Sequence, residues 1–294
     1  MVQSFDDNLI TEFSALVHAE AQQMTSRMKP YVKVQQMSGD VFAYDGLGRV
    51  DAREVQGRNV PATFDDITHN RRKISRKRYV VNLPIDSSDV RGALINPQSE
   101  YAKHIAAAAL RQYDRTIYEA AFADIATGRD FDTTVTFAND GGLTVDATAG
   151  LTYEKILEIH QNFIDLDVGN DMEEKLFLTI TGDEHVDLMS EVELISSDYN
   201  RAFVVETGKI RQAQGIDLIH FADSVANPII PTSGGERALI AASSRGICLG
   251  ISKDMSIKIE ERNDLIETTQ VQVVFEIGAV RTEGALVQKV RVTA

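Results

Sequence analysis

The alternation of apolar and polar positions is most regular between residues 96 and 128. Apolar side chains recur there at every fourth residue, at Tyr101, Ile105, Ala109, Tyr113, Ile117 and Ala121. This spacing holds one face of a helix. Asn96 followed by Pro97 is typical of a helix start, and Gly128 is typical of a helix end. We therefore predict one amphipathic helix of roughly 45 Å, either a strut across the molecule or an ordinary core helix of an α/β enzyme.

The same periodicity predicts three further helices. An N-terminal helix from Asp7 to Met28 is followed by the helix-breaking Pro30, and it could pack on its own domain or on a neighbour as an arm. A second helix covers Leu151 to Leu166. A third begins at Thr181, where Thr181 and Glu184 have the spacing of a capping box, and it continues through Val186, Met189 and Val192.

Residues 41 to 84 have a different pattern, which predicts a long two-stranded excursion. Strand-like pieces surround the turn signal Asp45-Gly46, and an apolar, β-prone segment follows a basic run. The basic run lies on the strand that leads back to the body. Because an isolated hairpin is marginally stable in water, we expect another element to cover this one.

Strand patterns dominate the second half of the sequence. FDTTVTF (131–137) and the buried KLFLTIT (175–181) are predicted strands, and ANDGGLTVDATAG (138–150) is a predicted loop. Short strands and loops alternate from Ser196 to Cys248 and predict a compact α/β lobe. Residues 256–293 show period-two stretches again, so we expect the chain to leave the body, build the lobe and return.

Composition and charge exclude several classes of protein. The sequence has 43% apolar and 25% charged residues, ordinary values for a soluble globular protein, with no membrane-length apolar run and no signal-peptide pattern at the N-terminus. Its one cysteine, Cys248, excludes an intrachain disulfide and is predicted to be a small buried residue.

The net charge of −14 is unevenly distributed along the sequence. Residues 27 to 115 hold 16 Lys and Arg against 10 Asp and Glu, whereas the remainder holds 14 against 34. Such a division can attract copies of the chain to one another. The alternative is that the two parts neutralise each other within one subunit.

Catalytic, cofactor and metal patterns are missing from the sequence. The acidic run at 165–171 fails as a calcium loop, since its twelfth position is Leu176 and not a glutamate. The six histidines show no ligand spacing, and no serine sits in a nucleophile elbow. The sharpest polar feature is the basic run Arg71, Arg72, Lys73, Arg76, Lys77 and Arg78. Phosphate contact with nucleic acid, a solvated loop and docking on an acidic surface of another copy all remain open for it.

Three stretches together resemble the major capsid protein of tailed bacteriophages, which has the Hong Kong 97-like fold. Residues 86–91 and 96–102 with the long alanine-rich helix resemble the family's spine helix and its approach. Gly150-Leu151-Thr152 resembles the opening of the helix in the peripheral (P) domain. Residues 193–200, 208–210 and 215–216 are similar to the axial (A) domain.

This resemblance implies an α+β fold of five parts. They are an N-terminal arm with an amphipathic helix (1–38), an extended β-hairpin loop or E-loop (39–85), the spine helix and P-domain (86–181), the A-domain (182–252) and the return strands of the P-domain (253–294).

The resemblance also implies a function. Many copies would form the hexamers and pentamers of an icosahedral shell around double-stranded DNA, with no enzymatic activity and no cofactor. The basic run would be an inter-subunit contact, and scaffolding, portal and decoration proteins would be further partners. The virion would be the location, after assembly in the host cytoplasm. No long helical pro-segment follows Met1, so we expect any scaffolding function in a separate protein or none. A cellular nanocompartment shell and an α/β enzyme are the alternatives.

Overall fold

The computed structural model describes residues 23–48, 50–52, 54, 64, 66–86, 97–169, 174–191, 210–223, 226–262 and 268–293. These residues form an α+β structure with three α-helices and fifteen β-strands. The helices are α1 (Pro97–Phe122), α2 (Tyr153–Asp165) and α3 (Gly182–Ser190). The strands are β1 (Lys33–Gln36), β2 (Val41–Leu47), β3 (His69–Ser75), β4 (Lys77–Asp86), β5 (Ile125–Thr127), β6 (Thr133–Val135), β7 (Leu143–Ala147), β8 (Leu176–Ile180), β9 (Gln212–Ala213), β10 (Ile216–His220), β11 (Thr232–Ser233), β12 (Glu236–Ser243), β13 (Ile247–Arg262), β14 (Thr268–Arg281) and β15 (Val287–Thr293).

Helix α1 confirms the predicted long amphipathic helix. Its 26 residues extend about 39 Å at the usual rise per residue. The predicted apolar stripe is buried at Ile105, Ala109, Tyr113, Ile117 and Ala121. Asn96, the predicted cap, lies outside the described residues, as does the side chain of Tyr101.

The predicted end of this helix at Gly128 is wrong, because α1 ends at Phe122. The Arg281 guanidinium donates hydrogen bonds to the carbonyl oxygens of Ala121 (2.7 Å) and Ala123 (3.2 Å). A cation at a helix C-terminus satisfies carbonyls that have no partner within the helix. Gly128 does adopt a positive φ of 96°, but in the turn between β5 and β6.

A four-stranded sheet in the order β1-β13-β14-β4 lies under α1, and we call it the long sheet. Strand β14 is antiparallel to both β13 and β4, whereas β1 is parallel to β13. On the face towards α1, Phe275 of β14 stacks on Tyr113 of the helix and on Tyr79 of β4, each at 5.4 Å between ring centroids. Three aromatic side chains therefore join the helix to two strands.

The predicted two-stranded excursion is present as the antiparallel pair β2 and β3, which we call the hairpin. The predicted turn at Asp45-Gly46 is wrong, since both residues lie inside β2 opposite Arg71 and Asn70. Gly48 donates its N–H to the carbonyl of Thr68, so the strands diverge only beyond these two residues. Strands β5 and β6 extend this sheet next to β3, and β6 confirms the strand predicted at 131–137.

A seven-stranded sheet in the order β7-β15-β12-β8-β10-β9, with β11 paired to β12, forms the rest of the molecule. Every residue of β8 is buried, as predicted for this strand. The loop predicted at 138–150 is partly wrong, because β7 forms within it and pairs in parallel with β15. That partner lies more than 140 residues further along the chain, so no local pattern could reveal the pairing.

The two later helices are confirmed, with small changes at their ends. Helix α2 buries Ile156, Ile159 and Phe163. Helix α3 has the predicted capping box, in which the Thr181 N–H donates to the Glu184 carboxylate at 2.7 Å. It ends at Ser190, and Val192 lies outside the described residues.

The N-terminal helix predicted for Asp7–Met28 is wrong for residues 23–28, which are not helical, and its earlier part lies outside the described residues. Asp114, in the middle of α1, holds this segment in another way. Its buried carboxylate accepts hydrogen bonds from the Ser26 hydroxyl (2.6 Å), the Arg27 N–H (2.9 Å) and the Met28 N–H (3.0 Å). A side chain far along the sequence therefore fixes a conformation that the local periodicity missed.

The strands predicted within the lobe at 196–248 include β10 and β12, whereas residues 201–207 lie outside the described part. Strand β8 precedes the predicted domain boundary at 181/182, and its hydrogen-bonded neighbours β10 and β12 follow it. The five-part division remains a prediction.

Candidate functional site

The predicted basic run lies where the hairpin joins the body. Arg71, Arg72 and Lys73 are on β3, Arg76 lies between the strands, and Lys77 and Arg78 begin β4. Strand β3 belongs to the hairpin sheet and β4 to the long sheet, so the run passes from one sheet to the other. We call residues 72–78 with their carboxylate partners Asp140 and Glu276 the hairpin base.

Asp140 lies at the centre of the first ionic cluster of the hairpin base. Arg72 donates to both of its oxygens at 2.7 Å, in bidentate geometry, and Arg281 Nε donates to Oδ2 at 2.9 Å. Arg72 also donates to the Arg281 carbonyl at 3.1 Å, and all three side chains are buried. One carboxylate thus joins the hairpin, the loop before β7 and the end of β14, and through Arg281 it reaches the C-terminus of α1.

The charges of this cluster depend on one another. Burial disfavours the ionised form of Asp140, but hydrogen bonds from Arg72 and Arg281 outweigh burial and lower the pKa of the carboxyl. Burial likewise lowers the pKa of Arg281, and Asp140 opposes that effect. Removing one partner would leave a buried charge without compensation, which is costly.

Glu276 of β14 forms the second ionic cluster of the hairpin base. Its buried carboxylate contacts Arg76 Nη1 at 2.5 Å and Arg78 Nε at 2.8 Å. Arg76 also pairs with Asp40, just before β2. The two clusters therefore attach both strands of the hairpin to β14 and to the loop before β7.

The remaining residues of the basic run face outward. Arg71 pairs across the hairpin with Asp45 at 2.8 Å, and the hydrogen bond from Arg71 lowers the pKa of Asp45. Lys77 is exposed, and half-buried Lys73 lies over the ring of Phe131 at 5.9 Å. Of the six residues predicted as an inter-subunit contact, the four arginines thus pair with carboxylates of their own subunit, and only Arg72 among them is buried. Lys73 and Lys77 remain accessible, as does the exposed part of Arg78.

The other end of the hairpin exposes large apolar side chains. Phe64 is 96% exposed and Leu47 is 70% exposed, and Val50 and Ile67 are also exposed. Among the described residues, this end has only the two strands β2 and β3. We call these four residues the hairpin end. A group of exposed apolar side chains on a two-stranded ribbon indicates a surface that another molecule covers.

Three other possibilities concern the thiol of Cys248, a metal site and a membrane-spanning helix. Cys248 is buried as predicted, and burial raises its pKa to about 11, so it is an unreactive thiol. In the part of the chain that the structure describes, no group of three or more His, Cys, Asp or Glu side chains could hold a metal ion. No described helix has the length and apolarity needed to cross a membrane.

Sequence reasoning missed Asp140, Glu276 and Arg281. Glu276 and Arg281 stand within the apolar alternation of β14, where a charge is unusual and signals a buried partner. Asp140 carries no such signal, because acids are common in predicted loops.

Comparison with known proteins agrees with this architecture. The family described as phage capsid protein matches residues 5–293. No curated protein matches the sequence. Among solved structures, the head of Helicobacter pylori bacteriophage KHP40 is similar with a TM-score of 0.72 and 12% identity, over 97% of this chain and 96% of that chain. The capsid of cyanophage P-SCSP1u has a TM-score of 0.71 and 14% identity, over 98% and 94% of the two chains.

The capsid of cyanophage Pam1 gives the same result, with a TM-score of 0.71 and 14% identity over 97% of this chain and 96% of that chain. At such identities the structures establish a shared fold, which is the predicted Hong Kong 97-like capsid fold. The family match covers nearly the whole sequence and establishes a structural protein of the virion. The chain belongs to the phage capsid protein family.

Proposed function

We propose that many copies of this capsid protein form the hexamers and pentamers of an icosahedral shell that encloses double-stranded DNA. In this proposal the hairpin is the E-loop, α1 is the spine helix, and the five-part division of the chain describes the capsid subunit. Assembly takes place in the host cytoplasm, and scaffolding, portal and decoration proteins are the further partners.

The hairpin end carries this proposal. A two-stranded ribbon is marginal in water. Here Leu47 ends β2, and Phe64 belongs to the segment between β2 and β3; both side chains are exposed to solvent. Covering two such side chains contributes about 1.5–3 kcal/mol each. In a closed shell, a neighbouring copy covers every hairpin end, so the exposed apolar surface of the single subunit disappears.

The accessible part of the basic run supports contact with a second copy. Lys73, Lys77 and Arg78 lie in the basic part of a chain whose remaining sequence is strongly acidic. Each exposed ion pair is worth about 0–1 kcal/mol, but a shell repeats the pair in every subunit. We therefore assign Lys73 and Lys77 to docking between copies, and Arg72 to fixing the hairpin in its own subunit.

Assembly of the purified protein tests the function directly. We expect closed shells in negative-stain microscopy, with the protein alone or with its scaffolding protein. A protein that stays monomeric in every salt and scaffold condition would contradict the proposal.

The docking role needs a separate variant. Lys73→Glu with Lys77→Glu should lower the shell yield several-fold and leave the thermal unfolding of the subunit unchanged. The matched control, Lys155→Glu with Lys175→Glu, makes the same charge change outside the hairpin and should keep the wild-type yield. Equal yields from both double variants would remove the docking role and leave the shell function standing.

A further inference from the structure

Among the described residues, the outer half of β13 is a strand edge without a partner strand. Strand β1 pairs with β13 only from Cys248 to Ile251, and the last described backbone hydrogen bond on this side joins the Met37 N–H to the Ile251 carbonyl. From residue 252 to 262, β13 pairs with β14 on one side, and no other described strand lies on its opposite side. An edge strand of this length presents unpaired N–H and C=O groups and is a template for another strand.

Side chains of this edge alternate in character. Ile257 and Ile259 point to the same face of the long sheet as α1, because they lie opposite the buried Val273 and Val271. They are nonetheless 44% and 50% exposed. Lys258 and Glu260 point to the other face and are both exposed, with their charged atoms 3.7 Å apart. Glu261 shares the face of the two isoleucines, and Arg262 shares the face of Lys258 and Glu260, so the edge carries charges of both signs.

When two copies of the segment Lys258-Ile259-Glu260 run antiparallel side by side, the basic residue of each copy can lie opposite the acidic residue of the other. A two-fold axis perpendicular to a sheet makes two edges antiparallel and keeps every side chain on its own face. The axis must then pass midway between the two copies of one residue, so that this residue lies opposite itself. With the axis at Ile259, each Lys258 lies opposite the other copy's Glu260, and the two Ile259 side chains meet at the centre.

Neighbouring registers are less favourable. An axis through Lys258 or through Glu260 would place two like charges directly opposite each other, which destabilises a strand pair. An axis through Ile257 would bring the irregular pairing between Ile251 and Ser256 into the contact. Ile259 therefore gives the register with two opposite-charge pairs and no like-charge pair among these positions.

We propose that the β13 edges of two copies pair antiparallel across a two-fold axis at Ile259 and join the long sheets of neighbouring subunits. This inference rests on the proposed shell function, because it names one contact between copies. The pairing brings the two exposed Ile259 side chains together and places Ile257 opposite Glu261 of the other copy. On the other face, the two Lys258 and two Glu260 side chains alternate in charge.

Charge exchange between two variants tests the contact. In Lys258→Glu alone, every pair across the axis becomes Glu opposite Glu, and in Glu260→Lys alone it becomes Lys opposite Lys. Each variant alone should lose most of the wild-type shell yield. When the two variants are mixed in equal amounts, each contact between unlike copies regains two opposite-charge pairs, so the mixture should recover most of the yield. The double variant Lys258→Glu/Glu260→Lys should assemble as wild type.

The mixture separates this contact from an effect inside the subunit. Within each single variant, residues 258 and 260 carry like charges, and mixing the two proteins does not change this. A recovery of shell yield in the mixture can therefore only come from contacts between different copies. Wild-type yield from both single variants, or a mixture no better than its components, would overturn the inference, and the two charges would then only protect an edge. If the wild-type protein forms shells in the same experiment, that failure leaves the proposed function intact.

Discussion

The hairpin base and the hairpin end differ in what their side chains contact. At the base, Arg72 and Ile74 are buried, and two carboxylates of the same subunit bind four arginines. At the end, Phe64 and Leu47 contact mainly solvent. The hairpin is therefore held by its own subunit at one end, whereas at the other end its apolar side chains are available for contact with another molecule.

This difference separates the folding stability of the subunit from the stability of the contacts between subunits. Changes to the buried ionic clusters of the base should unfold or loosen the subunit, and assembly should suffer as a consequence. Changes at the end should leave the subunit intact and affect only assembly. Three predictions test that separation, beginning with the largest expected effect on the free energy of unfolding.

Asp140→Asn should destabilise the subunit most. Asparagine has nearly the same shape but no charge, so the buried guanidinium groups of Arg72 and Arg281 lose their compensation. We expect a loss of about 3–5 kcal/mol in the free energy of unfolding, measured by urea denaturation of the unassembled subunit. Asp45→Asn is the control, because it breaks only the exposed pair with Arg71 and should change the free energy of unfolding far less. Equal losses in the two variants would show that the Asp140 cluster does not hold the base.

Acid should weaken the same cluster. The pKa of Asp140 is lower in the native state than in the unfolded chain, so its contribution to stability is complete above the unfolded value of about 4. That contribution is lost as the pH falls through the native pKa. The difference in unfolding free energy between wild type and Asp140→Asn should therefore shrink below about pH 4. A difference that stays constant from pH 7 to pH 3 would contradict the assignment.

Phe64→Ser should have the smallest effect on the subunit and a large effect on assembly. The side chain is almost fully exposed, so we expect the free energy of unfolding to change by less than about 0.5 kcal/mol. Shell yield, measured by sedimentation, should fall strongly because the partner surface loses its largest apolar group. Val186→Ser on α3 is the control, since this side chain is 66% exposed but lies outside the hairpin. A strong loss of subunit stability in Phe64→Ser would erase the contrast between base and end.

Local patterns were sufficient for elements whose contacts are close in sequence and for those in which a regular apolar spacing continues over many residues. The spacing of Ile105, Tyr113 and Ile117 predicted the buried face of α1, and Thr181 with Glu184 predicted the start of α3. The excursion and its basic returning strand were also predicted, because alternation and charge are both local properties.

Other features depend on residues far apart in sequence, and local reasoning failed there. Strand β7 forms only because β15 lies beside it, and Arg281 supplies the partner that α1 needs at Phe122. The basic run was predicted as one inter-subunit contact of six residues, and that role stays a prediction. Its local pattern did not reveal that Arg72 binds Asp140, 68 residues away. Burial within the subunit therefore divides a run that charge alone treats as uniform.

The position of β15 in the seven-stranded sheet has a consequence for the timing of synthesis. This strand, residues 287–293, lies between β7 and β12 and contacts both. Closing such distant contacts is slow and comes late in folding. A ribosome-bound chain cannot complete the sheet before Thr293 has emerged. Chains that end before β15 thus lack the strand that joins β7 to β12, and their seven-stranded sheet stays incomplete.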